Sequence, residues 1–553
     1  MSHDDAEQGT QALDRTKFST KLYYWLLAGI LIQAFIYSFE VNLMYGCLPY
    51  VMNLFSVTSL TAIMPVILQI VSAALVPFFT KVSDVIGRFE SYTIAMVSYV
   101  LGYIIQGTSN VNNFGQFAAG QFFFAVGTTG MQTLTQVLIA DTTPLINRGL
   151  VFATWDMGSA INIWTTQLLI APLTSPTFNW HYIYVIVACL ATVGAIVVLV
   201  PLFAVQRAIR KGGHAPQRRS LGWFLHEFDT IGALLLTATL SLILLPIILA
   251  RTYDDNWKNP VIYGCLIGGI ISLILLVVWE AKFTDRPIMP MRIWMQRTCF
   301  GGLFVQFVLT MMASSNWAYF TSYLVVSRDI SFDQAILLER GYQMAYLVFA
   351  LGTGYAMKRF NTSRPFVWVG IVLATLGTGL MIPARQPTSS DAFVVISQTI
   401  VGAGGGMAAL AASVSVTGVV HRRDIAIVIG ATQILSSIAS AIGSALAGGV
   451  WTQLLPKELA EHVTGEYDLD MAMNRVDYVA ALPEPTKSQV ITAYGDSQMV
   501  LSIISCAMAV LACAAAFMMQ HVDLLQSQEE QDKVYGGEDQ ESETASEELK
   551  GTY

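Results

Sequence analysis

Glu40 is the residue least at home in its surroundings. It follows Ser38-Phe39 toward the end of an otherwise apolar run that begins near Tyr23. An ionised carboxylate is costly in hydrocarbon, and a group that gains and sheds a proton there can link proton movement to a change of access. A carboxylate hydrogen-bonded at the membrane surface is the plainer alternative. Asp156, within Thr154-Trp155-Asp156-Met157-Gly158, stands about two helical turns inside another run and could titrate or pair with a basic group. Glu339-Arg340 opens a third run, and adjacent residues on a helix point in different directions. Arg340 could therefore face a cavity and attract an anion, or snorkel to the surface.

Aromatic residues recur in the same runs: Tyr37, Tyr45, Trp164, Trp317, Tyr319, Tyr323, Tyr342 and Tyr346. Rings with a polar edge suit a bulky amphipathic ligand, although each alone could be a packing residue or an interfacial anchor. No motif for covalent catalysis accompanies them, so the chain does not read as an enzyme. Six cysteines lie in or beside apolar runs without a CxxC pair or a histidine partner, which disfavours a metal site or a disulfide framework. They read as small buried apolar residues. No cofactor is expected. Gly402-Ala403-Gly404-Gly405-Gly406 lacks the lysine of a phosphate loop and fits close helix packing instead, as do Gly443, Gly448 and Gly449.

Elements that position these groups follow from composition. The chain has 553 residues, 54% of them hydrophobic and 12% charged, with a mean hydropathy of +0.55. Such a chain is an integral membrane protein whose partner is the lipid bilayer, and nothing in it supports nucleic-acid binding. About fourteen apolar runs are long enough to span, an all-α architecture. They begin near Tyr23, Leu60, Ser91, Gly115, Leu150, Tyr182, Thr230, Val261, Thr298, Ala335, Pro365, Phe393, Ile425 and Gln498. Cations crowd alternate loops: Lys81 and Arg88; Arg148; Arg207 to Arg219; Lys282 to Arg297; Lys358 to Arg364; Arg422 and Arg423. By the positive-inside rule those loops and both termini face the cytosol. The sequon at Asn361 falls on that side and is silent.

A weak internal repeat links Arg148 to Arg422-Arg423, and the Lys81, Asp84, Gly87, Arg88 turn to the stretch from Lys358 to Arg364. The expected organisation is a cytosolic tail (1–22), a six-helix half (23–202), a basic loop (203–228), an extra helix pair (229–279), a second six-helix half (280–519) and an acidic, disordered tail (520–553). A long outer segment, 452–497, carries Tyr467, Tyr478 and Tyr494, and long ordered loops of this kind are often functional.

Lys81-Val82-Ser83-Asp84-Val85-Ile86-Gly87-Arg88 resembles the loop between the second and third spans of major facilitator transporters, with Asp84 at a helix end and Arg88 free to bridge to a neighbour. Further stretches are similar to the fungal siderophore-iron transporter family, a fourteen-span branch of that superfamily. They are Gly87-Arg88-Phe89-Glu90-Ser91-Tyr92, Ala140-Asp141-Thr142-Thr143-Pro144, Phe228-Asp229-Thr230-Ile231-Gly232, Trp279-Glu280 and Gly449-Val450-Trp451-Thr452-Gln453. The family tends to show Trp-Arg-Trp where this chain has Asn179-Trp180-His181, and an aspartate where it has Glu40. The resemblance implies a major facilitator fold of two six-helix halves plus two helices. It also implies import of ferric siderophore together with protons, with Lys81, Asp84, Gly87, Arg88, Asp141 and Arg148 in gating and Glu40 or Asp156 in coupling. The plasma membrane is the expected location, and a vacuolar or endosomal membrane the alternative.

Rival readings remain open. A glutathione or haem carrier of the same branch would look alike. A drug-proton antiporter is disfavoured because its fifth span tends to carry Gly-Pro-x-x-Gly-Gly, absent from the stretch 151–172.

Overall fold

The computed structural model describes residues 20–142, 145–175, 178–211, 229–249, 258–284, 295–420 and 425–520. The expected basic loop, apart from its start, and the acidic tail lie outside the described residues. So does the repeat element Arg422-Arg423.

Among the described residues every long element is a helix, because a chain this apolar must satisfy its backbone internally where water is absent. The first group comprises α1 (Thr20–Leu54), α2 (Ile63–Val85), α3 (Arg88–Gly107), α4 (Phe114–Thr142), α5 (Leu145–Leu173) and α6 (His181–Lys211). Then come α7 (Thr230–Leu249) and α8 (Pro260–Lys282). The last group comprises α9 (Arg297–Trp317), short α10 (Phe320–Arg328), α11 (Phe332–Phe360), α12 (Arg364–Ala384), α13 (Asp391–Val419), α14 (Ile425–His462), short α15 (Leu469–Asn474) and α16 (Val476–Ala480), and α17 (Thr486–Ala516). Among the described residues eleven helical segments are both long and apolar enough to cross a bilayer. Helices α3, α5 and α11 match them in length but are more polar.

Within the first group α1 packs on α5 and α6, α3 on α4 and α6, and α2 on α4. In the last group α13 lies between α11 and α12, and α9 against α13, α14 and α17. The groups meet where α2 lies on α14 and where α11 touches α5 and α1. Helix α7 rests on both α2 and α14, with α8 outside it. Helix α8 exposes Val261, Ile267, Ile270, Ile274 and Val277, an apolar face suited to lipid. Asp229 anchors this pair: its carboxylate accepts from Gly232 N at 3.1 Å, capping α7, and from Trp279 Nε1 of α8 at 2.7 Å. That gives two of the family-like stretches a physical purpose.

Glycine governs how closely the helices approach. A Cβ at Gly402 would sit 2.2 Å from Tyr342 O, and one at Gly406 2.2 Å from Tyr346 O, so the glycine run seats α11 directly on α13.

Several boundaries differ from expectation. Lys81 and Asp84 belong to the last turns of α2, and the turn itself is only Ile86-Gly87, with Gly87 at φ +123°. The outer segment is shorter than 452–497: α14 continues to His462 and α17 starts at Thr486, which leaves 463–485 with two small helices. Trp451 and Tyr494 are therefore helix-core residues, their rings 5.4 Å apart at 85°. Polar residues such as Glu458, Lys457 and Ser488 masked the helical continuations. Only Cys47 and Cys299 are buried; Cys189 is exposed on α6 and the other cysteines are half-buried. An apolar helix facing lipid can carry a thiol outward without loss, which composition alone does not distinguish from burial.

Candidate functional site

A cavity of about 390 Å³ lies between the two helix groups. Helix α1 contributes Tyr37 and Tyr45, α2 Gln69 and Ser72, α3 Tyr103 and Gln106, and α4 Gln121, Phe124, Thr128 and Gln132. From across the interface come Ser314 and Trp317 of α9, Thr321 of α10, and Gln433, Ser437, Ser440 and Ser444 of α14. None of the described lining residues is charged. The wall combines amides, hydroxyls and aromatic rings, which recognises a neutral polar ligand with apolar flanks. A smaller cavity of about 200 Å³ shares Tyr45 and Trp317 and adds Glu339, Tyr342 and Gln343.

The glutamines and the serine stripe escaped the sequence reading. Ser437, Ser440 and Ser444 recur at helical spacing on one face of α14, a polar stripe within an apolar span. The five glutamines inside apolar runs are the other legible signal.

Glu40 is fully buried, and the next residue, Val41, lines this cavity. Its Oε2 accepts from Tyr99 OH at 2.7 Å, and Tyr99 is 3.2 Å from Tyr103 OH, which lines the cavity. Since Tyr99 spends its one hydrogen on Glu40, Tyr103 is the donor to Tyr99. Glu40 Oε1 has no hydrogen-bond partner among the described residues. A carboxylate so placed reaches the cavity through two phenols.

Arg340 is 1% exposed, which removes the snorkelling alternative. Its Nη1 donates to Asn42 Oδ1 at 3.2 Å and to Gln343 Oε1 at 2.7 Å, and Nη2 to Thr166 Oγ1 at 3.5 Å. It is not among the residues lining either cavity, so it acts as a bridge from α11 to α1 and α5. Glu339, passed over in favour of its neighbour, does line the smaller cavity. It accepts from Tyr45 OH at 2.9 Å and from Thr321 Oγ1. Arg385 was missed altogether. It is buried, with its guanidinium carbon 3.6 Å from the Phe320 ring centre and its Nη2 3.2 Å from Asn316 Oδ1. Its only sequence signal is a cation at the end of an apolar run.

The aromatic candidates divide. Tyr37, Tyr45, Trp317 and Tyr342 line the cavities. Tyr319 and Tyr323 do not. Tyr319 is buried, stacks on Trp451 with ring centres 4.6 Å apart and donates to Ser59 O at 2.6 Å, while Tyr323 donates to Arg385 O. Trp164 is half exposed and is not among the cavity residues; Tyr346 instead packs near Tyr342, with ring centres 6.2 Å apart. Helical periodicity admits all of these positions, and only packing separates cavity from core.

Among the gating candidates the side chains of Lys81, Asp84, Asp141 and Arg148 lie outside those described, as does that of Asp156. Gly87 and Arg88 are described. A Cβ on Gly87 would come 2.6 Å from Glu90 Oε2, and Gln206 of α6 ties the turn down by donating to that oxygen and accepting from Phe89 N at 3.2 Å. Arg88 is buried and donates to Ser83 Oγ of the preceding helix α2.

The segment 463–485 is tied to the first group. Asn53 Oδ1 accepts from Val476 N at 2.7 Å and Ser59 Oγ donates to Asn474 Oδ1 at 2.5 Å, while within the segment Tyr478 OH accepts from Asp468 N at 3.0 Å. Tyr494 OH donates to Ala472 O at 2.7 Å from beneath. Close by, His462 Nε2 lies 3.4 Å from Glu458 Oε2 and 3.3 Å from Asp496 Oδ2. This cluster of histidine and carboxylates went unseen because Asp496 is remote in sequence, and helix packing alone assembles it.

An α-helical bundle in two groups around a polar central cavity, with buried carboxylates at its edge, defines a membrane carrier. The Major Facilitator Superfamily profile matches residues 30–327, more than half of the chain, and the chain belongs to that superfamily. It is 28% identical to the siderophore iron transporter mirC of Emericella nidulans over 84% of this chain and 78% of that one. It is 26% identical to MFS siderochrome iron transporter C of Aspergillus fumigatus over 91% and 85%, respectively. With siderophore iron transporter 1 of Saccharomyces cerevisiae it shares 24% identity over 91% and 82%. Among solved structures it resembles a POT family transporter in complex with 5-aminolevulinic acid at 13% identity, with a TM-score of 0.60 over 89% of this chain and 96% of that one. A bacterial homologue of the human lysosomal transporter Spinster gives 0.54 at 14% identity over 91% and 98%. Both support the fold.

Proposed function

We propose that this protein is a proton-coupled secondary transporter that imports ferric siderophore complexes. The observation that carries the reading is the uncharged wall of amides, hydroxyls and rings between the two helix groups, beside buried Glu40. Iron inside a chelate presents the ligand's surface, so a binding wall needs no metal ligands of its own. A neutral hydroxamate chelate suits this wall, whereas an anionic chelate would lose its hydration there without a charged partner in return. The names carried by the relatives from Emericella, Aspergillus and Saccharomyces support the cargo class.

In this reading the domains are two six-helix halves, 23–202 and 280–519, flanking the pair 229–279. The 463–485 end faces outward, both termini face the cytosol, and the membrane is the plasma membrane. Access alternates by rocking of the halves about the cavity. Lys81, Asp84, Gly87, Arg88, Asp141 and Arg148 form the cytosolic gate. Glu40 binds the proton, reached through Tyr103 and Tyr99, and Asp156 remains a candidate for a second site.

Expression in iron-starved yeast lacking its own siderophore carriers tests this, using labelled ferric hydroxamates at acidic and neutral pH. Acid-stimulated accumulation is expected in the wild type, and Glu40→Gln should reduce it at least about tenfold, a loss within the range of a site-to-site coupling energy. Uptake by Glu40→Gln equal to wild type removes Glu40 from the mechanism. Absence of uptake for every ferric chelate in the wild type overturns the cargo.

A further inference from the structure

The residues that join the two helix groups at the 463–485 end include one ionisable acid that the mechanism above does not use. Glu339 is 2% exposed and lies on α11, in the last group. Tyr45, which donates to its Oε2 at 2.9 Å, lies on α1, in the first. The next residue, Arg340, reaches the same helix α1 at Asn42, and α5 at Thr166. Asn42 and Tyr45 are three residues apart and share a face of α1, so one turn of α11 holds α1 through two adjacent side chains. Any movement that separates the groups at this end must break both contacts. Glu339 also borders the smaller cavity, which shares Tyr45 and Trp317 with the larger one, so an aqueous proton has a route to it.

We propose that Glu339 is a second proton-carrying residue of the transport cycle, and that its protonation releases the Tyr45 bond that ties α11 to α1. This rests on the carrier reading given above. Ionised, Glu339 accepts a charge-assisted hydrogen bond from Tyr45, roughly twice as strong as a neutral one. A proton arriving from the outer water converts the carboxylate to a neutral acid and weakens that bond. With the seam loosened, the outward-open protein closes only when a ligand in the cavity supplies the missing contacts, which prevents protons from leaking through an empty carrier. Loss of the same proton to the cytosol restores the strong bond. Around Glu339 the facing charged and titratable groups are Tyr45 of α1, Arg340 and Tyr342 of α11, and Arg385 just past the end of α12, whose charge reaches it electrostatically. Thr321 of α10 bonds Glu339 itself, Thr166 of α5 bonds Arg340, and Gln398 and Thr399 of α13 lie against Leu338 and Gly341; none of these is titratable.

Purified protein in liposomes tests the proposal with a radio-iron-labelled ferric trihydroxamate. Two rates are compared: exchange of chelate at equal pH, and accumulation driven by an inward proton gradient. Wild type should be stimulated at least about fivefold by the gradient, while Glu339→Gln keeps exchange within about twofold and loses the stimulation, as expected for a coupling free energy of ordinary size. Glu339→Gln that remains gradient-stimulated overturns the proposal and leaves the carrier reading intact. A wild type without any stimulation overturns both. If Glu339→Gln fails to fold, Tyr45→Phe decides: because Tyr45 also lines the main cavity, uptake is taken as a ratio to exchange at equal pH, and a displaced pH profile of that ratio supports the proposal while an unmoved one overturns it.

Discussion

Glu40 and Glu339 are both buried carboxylates that accept a tyrosine hydroxyl, yet their partners differ in one respect. Tyr99, the donor to Glu40, lies on α3 in the same helix group, whereas Tyr45, the donor to Glu339, lies across the interface. When the groups rock as rigid bodies the first bond is carried along and the second must break. In the proposed cycle the same interaction therefore serves as fixed wiring at Glu40 and as a latch at Glu339. Their surroundings differ as well. Glu40 has an oxygen without a hydrogen-bond partner among the described residues, while both oxygens of Glu339 are engaged and Arg340 and Arg385 lie close.

Substitutions can break or sharpen that contrast. The largest effect is expected for Arg340→Ala, which leaves Glu339 without its adjoining cation and opens the α1 and α5 contacts. Breaking a buried charge arrangement costs about 3–5 kcal/mol, read as a lowered melting temperature in detergent together with lost uptake. Unchanged thermal stability would refute the latch. Tyr99→Phe is expected to act within the first group alone, with a loss of about 1–3 kcal/mol for the carboxylate oxygen left unbonded. Its ratio of gradient-driven uptake to exchange should fall while the melting temperature of the cross-group contacts, probed by cysteine cross-linking of α1 to α11, stays put. Disturbed cross-linking would show that Glu40 is not confined to its own group.

The smallest effect concerns the segment 463–485. Partial burial alone would raise the Asp477 carboxyl, but the hydrogen bonds and charge of Arg475, whose Nη2 is 2.6 Å from Asp477 Oδ2, hold it below its ordinary value. The pair therefore contributes stability above the ordinary carboxylate range, and that contribution disappears as pH falls through the depressed value. Because both side chains are substantially exposed, Arg475→Ala should cost no more than about 1 kcal/mol near neutral pH and nothing in strong acid. A difference that persists at low pH would assign the pair another role.

Much of the fold was legible because apolar length is a strong signal. The long apolar helices, the glycine-seated contacts and the turn at Gly87 all follow from local rules about spanning length, close packing and left-handed backbone. Cavity membership was less legible. Tyr319 and Tyr45 look equivalent in sequence, and only packing sends one against Trp451 and the other to the cavity. The end of α14 misled because Lys457, Glu458 and Glu461 resemble loop residues, although a helix leaving the bilayer can carry them on its wet turns.

By itself the sequence determined a helical membrane protein with a carboxylate set in its first span, since hydropathy and length are properties of single segments. Only the tertiary structure decided that Arg340 is internal, that Glu339 and not its neighbour borders the cavity, and that Tyr45 joins the two groups. Those facts depend on which faces of distant helices meet. A helix specifies which of its residues share a side, but its partner and rotation are set by the whole bundle.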